Sequence, residues 1–180
     1  MRSVRLTAIL GLLPGLALAQ EVANTSYLAS NGEKVLRIEC TLHMGKTEAW
    51  KLFTTEAGLR KWIAPVVAVD FRVGGRILTN YGPSRSVRDP GTISLPIINY
   101  LDGQMLTLKV ILNREFPAKV RREGANLQEI IQLEDVGDGQ THIVSSMVGW
   151  GIGSEWDKTY AFFEKGNAWT YRQLVANSQS

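Results

Sequence analysis

The sequence predicts an α+β fold: a curved antiparallel sheet of about seven strands, two short helices after the first strand, and a long C-terminal helix packed across the sheet. Three observations carry this reading. Apolar and polar residues alternate with a period of two in successive segments between residues 34 and 148. Turn dipeptides separate those segments, among them Gly74-Gly75, Asp102-Gly103 and Asp138-Gly139. Beyond Ser154 the period becomes helical, with Trp156, Tyr160, Phe163, Asn167, Thr170 or Tyr171, and Leu174 sharing a face.

The chain opens with the three parts of a cleavable export signal, which place its work in the periplasm or outside the cell. Arg2 and Arg5 are the basic start, residues 6–13 the apolar run, and Ala17-Leu18-Ala19 a small-residue exit after the break at Pro14-Gly15. The run is well short of the roughly 20 apolar residues a bilayer span needs, so no transmembrane span is expected after cleavage. Residues 20–33 read as a flexible polar leader ending at Asn31-Gly32. Residues 34–180 are then a single domain, long enough to bury its own core. Asn24-Thr25-Ser26 has the pattern of a glycosylation sequon, which matters only in a eukaryotic secretory pathway.

Each element follows from its residues. Leu36, Ile38, Cys40 and Leu42 alternate with Arg37, Glu39 and Thr41, the pattern of a strand with one buried face. Thr47 reads as a helix cap before Trp50 and Phe53, and 55–62 as a second short helix. Strands follow over 66–71, 77–81, 92–100, 105–112, 127–133 and 141–148. Pro96 marks an edge or a bulge, because proline cannot donate to a ladder. Residues 113–125 read as a long loop. Ser154, with Asp157 three residues on, reads as the capped start of the last helix.

Composition excludes several classes of function. The formal charge of +3 falls to about +1 once Arg2 and Arg5 leave with the signal, so no polyanion partner is implied. The densest basic group, Lys119, Arg121 and Arg122, runs directly into Glu123 and reads as a solvated loop, not a nucleic-acid site. A single cysteine, Cys40, permits no intramolecular disulfide, and its alternating apolar setting makes it a small hydrophobe. His43 and His142 lack metal-ligand spacing, and no G-x-S-x-G elbow surrounds Ser145 and Ser146. Glu134, Asp135 and Asp138 surround a turn, and Gly74-Gly75 serves backbone geometry. No catalytic residue, metal or cofactor is assigned. Oligomeric state stays open.

Particular words in the chain then carry a resemblance. They are Thr47-Glu48-Ala49-Trp50, Leu59-Arg60-Lys61-Trp62, Phe71-Arg72-Val73-Gly74-Gly75-Arg76, Asp102-Gly103-Gln104-Met105-Leu106, Gly149-Trp150-Gly151, Glu155-Trp156 and Phe163-Glu164-Lys165-Gly166-Asn167. In this order they resemble the helix-grip superfamily known as SRPBCC or START-like. The branch they resemble is named after the activator of the ninety-kilodalton heat-shock protein ATPase. The resemblance spans roughly residues 34–176 and implies the helix-grip fold, with a space between sheet and helix. It leaves activity open, because that scaffold hosts carriers, receptors, cyclases and cochaperones.

Aromatic and thioether residues are the candidates for lining such a space: Trp62, Phe71, Tyr81, Tyr100, Phe116, Met147, Trp150, Trp156, Tyr160 and Phe163. All of these except Phe116, together with Asn167, are the expected cavity residues. Tyr81, Asn99, Tyr100, Ser145, Tyr160 and Asn167 are the polar groups able to orient a ligand, and strand parity leaves open which of them face inward. Asn167 stands out as an amide on an apolar helical face. Three functions follow as alternatives. The first is a carrier or sensor of a small apolar molecule, lipid-like or aromatic. An enzyme of cyclase, dehydratase or hydrolase type using the same cavity is the second. A chaperone ATPase cofactor is the third, and the export signal argues against it.

Overall fold

The computed structural model describes residues 22–178. The export signal expected over 1–19 lies outside them. The described residues form nine strands: β1 (Ala23–Asn24), β2 (Tyr27–Leu28), β3 (Lys34–Leu42), β4 (Val66–Asp70), β5 (Arg76–Asn80), β6 (Ile93–Leu101), β7 (Met105–Lys109), β8 (Gln128–Gly137) and β9 (Gln140–Val148). Four α-helices accompany them: α1 (Lys46–Thr54), α2 (Glu56–Arg60), α3 (Ala118–Glu123) and α4 (Ser154–Asn177). The sheet runs β1-β3-β9-β8-β7-β6-β5-β4, with β2 also on β3. Every pairing is antiparallel.

Seven of these strands are those the alternation predicts. The other two correct the reading of 20–33 as a flexible leader, since β1 and β2 both pair with β3. Side chains hold them there, in strands too short to show a period. Thr25 Oγ1 donates to Glu39 Oε1, Asn24 Oδ1 accepts from the Ser26 backbone N–H at 3.0 Å, and Asn24 Nδ2 donates to Glu164 Oε1 on α4 at 2.8 Å. The sequon amide is therefore bound within the fold.

Helix starts also differ from expectation. Gly45 caps α1 and Gly153 caps α4, neither through a side chain, so Thr47 and Ser154 lie inside their helices. Asp157 pairs with Lys34 at 2.6 Å instead of closing a capping box. Thr55 does cap α2, its side chain accepting from Gly58 N. The loop expected over 113–125 contains α3, a helix with one buried residue, Val120, and so without a readable apolar face. Pro96 lies in an interior strand: β6 pairs with β5 through Ile93–Pro96 and with β7 through Ile97–Leu101, and a bulge falls between Ile97 and Asn99.

Two apolar clusters fill the concave side of the sheet. One joins α1, α2 and the C-terminal end of α4 to the strands through Phe53, Trp62, Ile77, Leu106, Ile131, Tyr171 and Leu174. The other joins α3 and the N-terminal end of α4 through Leu36, Val120, Leu127, Met147 and Trp156. The buried residues of α4 sit at its ends: Trp156 and Thr159, then Tyr171, Leu174 and Val175. Its middle is only partly covered.

The turn between β4 and β5 confirms a backbone role for Gly74-Gly75. Gly74 has φ 78°, and a Cβ on Gly75 would stand 2.0 Å from the Asp70 carbonyl oxygen. The same pair hands the turn to β6, with Gly74 N–H donating to Ile97 O and Ile97 N–H to Gly75 O, at 3.0 and 2.9 Å. Gly75→Ala must move backbone, whereas Gly74→Ala meets open space and only an unfavourable φ. Denaturant melts are expected to show a loss of about 1 kcal/mol for Gly74→Ala and of about 2 kcal/mol or more for Gly75→Ala.

Candidate functional site

Beneath the middle of α4 lies a cavity of about 460 Å³, within the range of small-molecule sites. Its walls come from β5, β6, β7, β8 and β9 of the sheet, from Phe53 and Leu59 of α1 and α2, and from Phe162, Phe163, Gly166, Asn167, Thr170 and Tyr171 of α4. The geometry follows from how α4 is seated. Its two ends are sunk into the two clusters, and its middle bridges the gap. Gly166 borders that open space, since a Cβ there would touch nothing within 4 Å.

The expected lining residues divide into three groups. Trp62, Tyr81, Met147, Phe163 and Asn167 reach the cavity. Phe71 and Tyr100 do not: their rings pack together at 4.7 Å, and Phe71 meets the edge of Trp50 at 6.0 Å. Trp150, Trp156 and Tyr160 form instead the wall behind Met147, with Trp150 against Tyr160 at 4.9 Å and against Trp156 at 6.3 Å. The indole N–H groups of this wall are satisfied, Trp156 by Glu123 Oε2 at 2.8 Å and Trp150 by Met147 O at 2.9 Å. Helical spacing put all these aromatics on α4 or beside it but could not say which flank of the helix faces the gap.

The polar centre of the cavity is a residue the sequence reading passed over. Glu129 on β8 lines the cavity and occupies an inward position between Leu127 and Ile131, both buried. The signal was present, since Leu127, Glu129, Ile131 and Leu133 alternate and one member of the set is an acid. Ser145 Oγ on β9 donates to Glu129 Oε1 at 2.6 Å, and Tyr171 OH on α4 donates to the same oxygen at 3.2 Å. Burial raises the carboxyl above its ordinary range, against the lowering effect of the Ser145 and Tyr171 hydrogen bonds. The Tyr171 phenol is pushed well above its usual value by burial and then by the Glu129 charge. Tyr81, at the mouth, is raised for the same two reasons.

Asn167 reaches the same region through Met147, the register partner of Glu129. Its Nδ2 donates to Met147 Sδ at 3.1 Å, a weak acceptor. The mouth is apolar, with Tyr81, Ile111, Phe162 and Trp169 each about half exposed. Phe116 stacks on Phe163 at 5.6 Å beside it.

Other reactive groups sit away from this cavity. Burial pushes the Cys40 thiol up to about 12, so it stays a thiol. His142 Nε2 lies 3.0 Å from Glu39 Oε2 and its Nδ1 lies 3.3 Å from Thr41 Oγ1, cross-strand contacts that join β9 to β3. Among the described residues there is no group of three acids, histidines or cysteines able to hold a metal ion, and no helix long and apolar enough to cross a membrane.

Comparison with known proteins agrees with this architecture. No family model matches the chain, and no curated protein does. Among solved structures, the Aha1 dimer from Colwellia psychrerythraea superposes with a TM-score of 0.62 at 16% identity, covering 78% of this chain and 92% of that one. CalU16 from Micromonospora echinospora gives 0.60 at 14% identity, covering 87% of this chain and 82% of that one. DynU16, a protein in the dynemicin biosynthetic locus, gives 0.59 at 12% identity, covering 81% of this chain and 47% of that one. The chain therefore has the helix-grip fold, an α+β sheet closed over one long helix.

Glu129 makes stability depend on pH with a definite sign. With its folded value above the ordinary 4.5, the unfolded chain releases the proton first as pH rises, so this group's contribution falls through the window and levels above the folded value. Glu129→Gln carries no such proton. In thermal melts its Tm relative to wild type is expected to climb across that window and then stay flat. A pH-independent difference would show that burial does not perturb the carboxyl.

Proposed function

We propose that this protein binds a small, predominantly apolar molecule in the cavity between sheet and α4, acting as a carrier or sensor outside the cytoplasm. The observation that carries the reading is the seating of α4, buried at both ends and spanning about 460 Å³ of apolar-walled space at its middle. Close packing is the rule in protein interiors, and a gap of this size sacrifices dispersion contacts that a larger residue at position 166 would regain. Glycine there keeps the space open, although glycine inside a helix costs about 1 kcal/mol relative to alanine. The export pattern of residues 1–19 supports the compartment. It also argues against the chaperone ATPase cofactor role that the sequence resemblance raises, because that role needs a cytosolic client and ATP.

A second reading draws on Glu129. A carboxyl inside an apolar cavity, hydrogen-bonded to a tyrosine and a serine, is the arrangement by which acid–base enzymes hold a proton at neutral pH. The enzyme alternative of cyclase or dehydratase type therefore centres on Glu129 and Tyr171. Tyr160, outside the cavity, has no part in it. Turnover lost in Glu129→Gln with binding retained would favour this reading.

Thermal stabilisation by a library of lipids and aromatics tests the binding function. A ligand at one hundred times its Kd is expected to stabilise the wild type by about 2.7 kcal/mol. Gly166→Leu should fold, since the position is open and leucine favours helix, yet lose most of that stabilisation. No stabilisation by any library member, or equal stabilisation of Gly166→Leu, would count against the cavity as the binding site.

A further inference from the structure

Resting on the cavity as a ligand site, the polar groups at its base define what kind of molecule it takes. Glu129 Oε1 already accepts both available hydroxyl donors, from Ser145 and Tyr171. Its other oxygen, Oε2, meets no donor among the described residues and is not among their fully enclosed orphan atoms, so it keeps accessible surface. That surface belongs to the cavity that Glu129 lines. No lysine, arginine or histidine contributes to its surroundings. The titratable groups near it are Tyr171 from α4 and Tyr81 after β5, with Cys40 from β3 beside Tyr171. Glu115 lines the cavity from the loop after β7. All of them are acids, so none offers the carboxyl a counter-charge.

An ionised carboxylate without a cation is costly in an apolar enclosure, so this site keeps the neutral acid to higher pH than an exposed glutamate does. In that neutral form, with Oε1 occupied as an acceptor, Oε2 is the oxygen left to carry the proton toward the cavity. Asn167 adds a second donor, a neutral amide, its Nδ2 spending one N–H on the thioether of Met147 and leaving the other for a ligand. We propose that the cavity selects an uncharged apolar ligand bearing a carbonyl oxygen, to which Glu129 donates its carboxyl proton, with Asn167 flanking the contact. A carboxylate ligand would bring its own charge into an apolar enclosure that holds no cation among the described residues to meet it. An ammonium ligand would require the acid to ionise inside the apolar wall.

Four naphthalene probes of one body and different heads test this by fluorescence titration: acetylnaphthalene, ethylnaphthalene, naphthoate and naphthylmethylammonium. At the acid end of the Glu129 titration, wild type is expected to bind acetylnaphthalene about tenfold more tightly than ethylnaphthalene, the preference one well-placed hydrogen bond gives. The preference should fade as pH rises and the donor ionises. Glu129→Gln, nearly isosteric and still a donor, should keep the preference and lose its pH dependence. Glu129→Leu should bind ethylnaphthalene and show no preference. Equal affinity of wild type for the acetyl and ethyl probes would overturn the head-group assignment and leave the cavity reading intact. Tightest binding of the ammonium probe, abolished in Glu129→Gln, would overturn it in favour of a carboxylate counter-ion. Failure of all four probes to bind folded wild type would overturn both.

Discussion

The C-terminal helix is fastened to the sheet at two points and released between them. Trp156, fully buried with its indole N–H on Glu123, sets the first point. Tyr171, Leu174 and Val175, packed with Phe53 and Trp62, set the second. A straight helix fixed at both ends over a curved sheet must leave a gap at the middle of the arc, and side-chain size decides whether that gap is filled. Here Gly166 and Asn167 fall at the span's midpoint, and it stays open. The cavity, its apolar mouth and the reach of Glu129 toward α4 all follow from this seating.

Placing an acid in such a space works against stability, and the surrounding residues limit the cost without removing it. Two hydroxyl donors converge on one carboxyl oxygen, and both are buried residues whose own polar groups would otherwise lack partners. A glutamine would satisfy the same geometry with no charge to desolvate. A titratable group where a neutral one would fit supports the proposed binding role of the site. The remaining polar groups are unlike it: Glu39, His142 and Thr25 lie at the β1 side of the sheet and tie strands together.

The sheet was legible because seven strands of five residues or more each leave a period-two trace, and α4 because its aromatics recur at helical spacing. What escaped has a physical reason in each case. β1 and β2 have two residues apiece, too few for any period, and depend on the side chains of Asn24 and Thr25. α3 buries only Val120. In the site, Trp62, Tyr81, Met147, Phe163 and Asn167 reached the cavity because large or odd residues on apolar faces are good markers. Phe71, Tyr100, Trp150, Trp156 and Tyr160 carry the same marker and are core, since composition does not distinguish a residue facing a gap from one facing a neighbour. Glu129 was missed for the opposite reason. It is an ordinary surface residue by type, and only its inward parity on β8 reveals it.

The hydrogen bond from Tyr171 to Glu129 joins the last element of the fold to the centre of the sheet. Ser145 and Glu129 sit on adjacent strands and meet as soon as β8 and β9 form their hairpin. The tyrosine arrives only when α4 docks, after every strand has been synthesised. Without that helix the acid would face water and not an enclosed cavity. Docking of the helix is thus what encloses the carboxyl, and a chain ending within α4 before Tyr171 would lose one of its two hydroxyl donors together with a wall of the cavity.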